Sequence, residues 1–134
     1  MKEQFVTYEI ALELKYLGFN EKCFGSYETK DIIKEGYLLH YPFDGKLFSN
    51  QILAPLWQQV EEWFREKYSI CIVYEDDNNV DNAFHKRCDG YTFYVTEHSF
   101  CVIGKSANGC HKDYNKMREI AVLKVIDFIK NNPE

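Results

Sequence analysis

The segment from Ala54 to Tyr68 constrains the fold more than any other part of the chain, because it combines a start signal with a complete face pattern for a helix. Pro55 suits the first helical position, where its missing N–H is no loss. Apolar residues recur at spacings of three and four and so share one face. We expect its two tryptophans to pack in the core, since aromatic side chains dominate buried area; a ligand platform is the alternative interpretation. The apolar face comprises Leu56, Trp57, Val60, Trp63, Phe64 and Tyr68.

Two further helices are predicted towards the ends of the chain. The first follows Thr7, a suitable N-cap, and stops at Gly18, which suits a left-handed C′ position. The last spans Lys116 to Lys130 and is stopped by Asn131-Asn132-Pro133. Its predicted inward residues are Met117, Ile120, Ala121, Val125, Phe128 and Ile129.

Strands are predicted on both sides of the central helix. Three follow it, at Ser69–Tyr74, Tyr91–Glu97 and Phe100–Ile103, and the last two form a hairpin. The middle strand alternates, with Tyr91, Phe93 and Val95 on one face and Thr92, Tyr94 and Thr96 on a solvated face. Before the helix the pattern is weaker, with strands predicted at Cys23–Tyr27 and Tyr37–Tyr41 and, after an Asp44-Gly45 turn, at Lys46-Leu47-Phe48.

The order of these elements predicts an α+β fold in a single domain over residues 1–134. We expect a small antiparallel sheet of about three strands with helices packed on one face, because antiparallel strands grouped between helices favour that arrangement.

Composition limits the classes of function. The 134 residues are 46% hydrophobic and 16% aromatic, as in a folded globule. A formal net charge of -5 argues against bulk binding to a phosphate backbone. No apolar run approaches the ~20 residues of a membrane span, and Met1 to Phe5 has no apolar signal-peptide core. The five cysteines lack a framework spacing, so we expect a cytoplasmic protein with reduced thiols.

Two His-x-x-Cys pairs form the best metal candidate: His85 with Cys88, and His98 with Cys101. Imidazole and thiolate are ligands that zinc accepts. However, Cys101 falls in a predicted strand, where positions three apart point to opposite faces. We therefore interpret the four residues as surface histidines and small buried thiols, and expect neither a metal nor another cofactor.

Two other polar groupings could carry chemistry. Cys110 could act as a nucleophile with a distant histidine, but no third orienting group is evident. The acidic stretch Glu75-Asp76-Asp77, with Asp81, lacks the ligand spacing of an EF-hand loop. We predict no catalytic residue and no cation site here.

The last part of the chain also permits a nucleic-acid hypothesis. A helix, three strands and a helix describe the double-stranded-RNA-binding domain, which contacts phosphates from the start of its last helix. Lys112, Lys116 and Arg118 lie near that position. Asp113 interrupts them and the expected Lys-Lys pair is missing, so the similarity is a topological analogy.

Three stretches resemble a family of small uncharacterised proteins of Bacteroides and related gut bacteria, often found in phage or prophage-like regions. They are Val6–Gly25, Ala54–Tyr68 and the helix Met117–Lys124, in the order of the family. The resemblance implies a compact cytoplasmic protein of mobile-element origin. It transfers no catalytic residue.

The sequence therefore predicts a non-catalytic module that binds a protein partner or acts as an accessory. The aromatic excess, without a convergent polar site, motivates this hypothesis. A nucleic-acid-binding module that uses the last helix and a zinc-binding protein are the alternatives. No membrane association is expected, and the oligomeric state stays open.

Overall fold

The computed structural model describes residues 4–30, 32–39, 52–76, 90–104 and 111–133. These contain helices and strands in the order α1 (Tyr8–Tyr16), β1 (Cys23–Thr29), β2 (Ile32–Leu39), β3 (Ile52–Leu53), α2 (Trp57–Tyr68), β4 (Ile70–Asp76), β5 (Tyr91–Glu97), β6 (Phe100–Ile103) and α3 (Tyr114–Asn131). The strands form two antiparallel sheets, ordered β2-β1-β3 and β4-β5-β6. The α+β class is confirmed. No helix in the described part of the chain has the length and apolar character to cross a membrane.

Contacts divide the chain into two compact units, Met1–Val60 and Glu61–Glu134. The prediction of one domain over residues 1–134 stays a prediction. The fold of each unit can be explained from its own residues.

The predicted central helix is α2, but it starts later than expected. It begins at Trp57, so the prediction that Pro55 opens the helix was wrong. The carbonyl of Pro55 accepts the N–H of Val6 at 3.0 Å, and this pairing holds the proline outside the helix. Trp57 and Trp63 are each 5% exposed, so both tryptophans pack in the core and do not form an open ligand platform.

In the first unit, α1 forms for the reasons read from the sequence. Thr7 Oγ1 accepts the N–H of Ile10 at 3.3 Å and caps the helix. Gly18 follows the helix at a φ of 90°, in the left-handed region that glycine tolerates. The helix buries Ile10, Ala11 and Leu14. Both predicted helix signals are confirmed.

The sheet of the first unit was only partly predicted. β1 covers the predicted strand and extends to Thr29, while β2 begins at Ile32, five residues before the strand predicted at Tyr37–Tyr41. The start of β2 was not predicted, because Lys34, Glu35 and Gly36 interrupt the apolar alternation that indicates a strand. β3 has two residues and was not predicted. The predicted turn at Asp44-Gly45 and the strand at 46–48 lie outside the described residues.

The N-terminal segment packs against β1 through close contacts. The Tyr27 hydroxyl donates to the carbonyl of Val6 at 2.6 Å, and the ring of Tyr8 meets the Tyr27 ring edge-on at 5.5 Å. A Cβ on Gly25 would lie 2.8 Å from the Phe5 ring, so only glycine fits there without a shift. These contacts anchor residues 5–8 on the central strand of the sheet.

In the second unit, β5 is the central strand and pairs with β4 along its whole length, from Glu97 opposite Ile70 to Tyr91 opposite Asp76. Phe93 is fully buried, and Lys124 of α3 places its Nζ 5.8 Å from that ring. Tyr74, opposite Phe93 on the same face, donates to Glu61 of α2. Both helices therefore contact one face of this sheet, as predicted. Thr92, on the face predicted to be solvated, is only 2% exposed, so that prediction was wrong for this residue.

α3 begins two residues earlier than predicted, because Asp113 caps it. The Asp113 carboxylate accepts the N–H of Asn115 at 2.9 Å, which brings Tyr114 and Asn115 into the helix. Two residues predicted to face inward, Ile120 and Phe128, are only half-buried. The buried set is Met117, Ala121, Val122, Val125, Ile126 and Ile129.

Candidate interaction site at the β5–β6 hairpin

The predicted hairpin between β5 and β6 is present, and its turn is strained. Glu97 pairs with Phe100, which leaves His98 and Ser99 as a two-residue loop with φ values of 50° and 72°. Two positive φ angles characterise a type I′ turn, for which Asn-Gly is the usual sequence. His98 and Ser99 both carry a Cβ, so the backbone is held in a region that such residues rarely adopt.

A third strained residue lies at the same end of the sheet. Ser69, between α2 and β4, has a φ of 56°, and its carbonyl accepts the N–H of His98 at 3.1 Å. These three are the non-glycine residues with positive φ in the described ranges. Because backbone strain of this kind concentrates at functional sites, the end of the sheet that carries the hairpin is a candidate site.

β6 is an edge strand with an apolar, exposed start. Within the described residues it pairs with β5 alone, and its four residues include no charge and no proline. Phe100 is 76% exposed and Cys101 is also exposed. The register shifts after the pair of Thr96 with Cys101, so the irregularity lies beyond the exposed end. An uncharged edge of this kind offers its backbone groups to another strand.

The structure describes two of the four zinc candidates, His98 and Cys101. His98 lies in the turn, and the Cys101 thiol on β6 donates to the carbonyl of Ile103 at 3.6 Å. His85 and Cys88 lie outside the described residues. Within the described part of the chain, no group of three or more His, Cys, Asp or Glu side chains could hold a metal ion. Zinc binding by the four residues stays untested, but Cys101 is exposed, so its interpretation as a buried thiol was wrong.

The three basic residues of the nucleic-acid hypothesis lie at the start of α3. Lys112 and Lys116 are exposed, whereas the guanidinium of Arg118 lies 5.3 Å from the Tyr114 ring and donates to Asn115 at 3.2 Å. The Asp113 carboxylate already occupies the N-terminus of the helix, where the helix dipole would otherwise favour a phosphate. This arrangement disfavours phosphate binding there.

A tyrosine cluster lies beside that helix start. The Tyr114 ring packs against the rings of Tyr74 and Tyr91 at 5.6 and 5.4 Å. The Tyr74 hydroxyl donates to Glu61 Oε1 at 2.6 Å. Burial, and then the Glu61 carboxylate, raise the pKa of Tyr74 far above its ordinary value. The cluster is a packed junction of α2, α3 and the sheet.

The remaining sequence candidates are placed only in part. Glu75 lies on β4 and Asp76 ends that strand, while Asp77, Asp81 and Cys110 are outside the described residues. Among the described cysteines, Cys23 is fully buried, and burial raises the pKa of its thiol to about 12. A thiol with such a pKa is a poor nucleophile at neutral pH.

Comparisons with protein families, curated proteins and solved structures find no match for this chain. The hairpin was predicted from sequence, but its strain and the exposure of β6 were not. A two-residue turn made of His98 and Ser99, without glycine or asparagine, was the feature that could have indicated the strain.

Proposed function

We propose that this chain is a cytoplasmic, non-catalytic module that binds a protein partner through β6. The observation that carries the proposal is the exposed start of this edge strand, where Phe100 is 76% exposed on a strand without charge. Large aromatic side chains supply much of the binding energy at protein interfaces. The family resemblance adds a mobile-element origin to the proposal, and an accessory role is the other form that this non-catalytic function could take.

The partner chemistry follows from the geometry of an edge. An extended segment of another protein can add as a further strand, and its main-chain groups then pair with those of β6. Because β6 carries no charged side chain, an apolar or uncharged segment suits it best. The strained turn lies beside the same edge, because the His98–Ser99 loop leads into Phe100, the first residue of β6.

Two other exposed aromatic residues offer matched controls. Tyr16 at the end of α1 is also 76% exposed, and Phe24 on β1 is 56% exposed. Each lies on a different element from β6. The proposal therefore rests on the strand edge and not on exposure alone.

A photo-crosslinking experiment tests the proposal. A photoreactive phenylalanine analogue is placed at position 100, or at position 16 as the control, and irradiated in cells that express the full chain. We expect a protein adduct from position 100 that is absent or much weaker from position 16. Equal adducts from both positions, or none from position 100, would overturn the proposal.

The affinity of the purified partner for variants of this chain then tests whether the partner binds at the edge of β6. Phe100→Ser should weaken binding about tenfold or more, as expected for an interface residue worth at least ~1.4 kcal/mol. Cys101→Lys should also weaken it, because lysine on an edge opposes strand addition. Tyr16→Ser should leave the affinity unchanged. Affinity that depends on Tyr16 and not on Phe100 would contradict the assignment.

The nucleic-acid alternative rests on the exposed Lys112 and Lys116, while the Asp113 cap at the same helix start counts against it. A filter-binding assay at low salt tests it. Retention of RNA or DNA near micromolar protein, lost in a Lys112→Ala/Lys116→Ala variant, would favour this function over protein binding.

The zinc alternative is tested by elemental analysis of chelator-free protein. Stoichiometric zinc that is lost in both His98→Ala and Cys101→Ala would favour a metal site. We expect less than stoichiometric metal, because Cys101 lies on a strand and His98 in the turn before it.

A further inference from the structure

We draw no further inference here: the strongest candidate, the cluster of Tyr74, Tyr91 and Tyr114 with Glu61 and Arg118 at the start of α3, has its rings and polar groups in contact with one another, and nothing in the described residues shows a ligand that would enter it.

Discussion

At the scale of single residues, the Tyr27 hydroxyl links β1 to the N-terminal segment. It donates to the carbonyl of Val6, which is fully buried. Tyr27→Phe leaves that carbonyl without this donor, so we expect the free energy of unfolding to fall by about 1–2 kcal/mol. Urea denaturation measures the change. Tyr16→Phe, at an exposed position, is the control and should change stability by less than about 0.5 kcal/mol. Equal effects of the two substitutions would contradict the contact.

The buried Cys23 thiol makes stability depend on alkaline pH. Burial raises its pKa from 9.0 to about 12, so the unfolded chain loses this proton at lower pH than the folded chain does. The contribution of the buried, protonated thiol to the free energy of unfolding is fully present below pH 9 and is lost as the pH rises towards 12. Between pH 8 and 10, wild-type protein should lose about 1 kcal/mol more than Cys23→Ala. Cys101→Ala, at an exposed thiol, should behave as wild type; an identical pH profile for Cys23→Ala would contradict the burial effect.

Local chemistry explains which residues were predictable. Thr7 and Gly18 were assigned correctly, because a cap and a left-handed stop depend on a few neighbouring atoms. Pro55 was assigned wrongly, since its position depends on pairing with Val6, which is distant in sequence. Long-range pairing therefore overrode a good local signal.

At the scale of elements, relieving the backbone strain in the β5–β6 turn should make the protein more stable. Ser99 has a φ of 72°, where a Cβ is unfavourable and glycine is not. Ser99→Gly should raise the free energy of unfolding by about 0.5–1 kcal/mol, after the entropy cost of glycine is included. Ser99→Ala keeps the Cβ and should stay near wild type. Destabilisation by glycine, measured by thermal or urea unfolding, would show that the turn is not strained.

The predictability of whole elements followed their sequence periodicity. β5 and the buried stripe of α2 were found because their alternation and helical spacing are strong. β3 was missed, since two residues carry no periodic pattern and it exists only by pairing with β1. The face of α3 was misassigned in part because both Ile120 and Val122 fit a plausible apolar stripe, and packing selects Val122.

At the scale of the whole molecule, the proposed site was less predictable than the fold. The sequence indicated that Phe100 to Ile103 form a strand, but not that this strand lies at the edge of its sheet. Sheet order and exposure arise from contacts between distant segments, so no local pattern reports them. The sequence indicated that Lys112, Lys116 and Arg118 lie near the start of the last helix, as they do in α3. It did not indicate that Asp113 caps that helix.

Hydrogen exchange of the full chain, with and without the partner captured at position 100, tests the central claim most directly. If a partner strand adds to β6, the backbone amides of this strand that point away from β5 gain hydrogen bonds, and their exchange should slow at least tenfold on binding. The amides of α1 should exchange at unchanged rates. Protection that appears in α1 or α3, with β6 amides unchanged, would contradict binding through this edge strand.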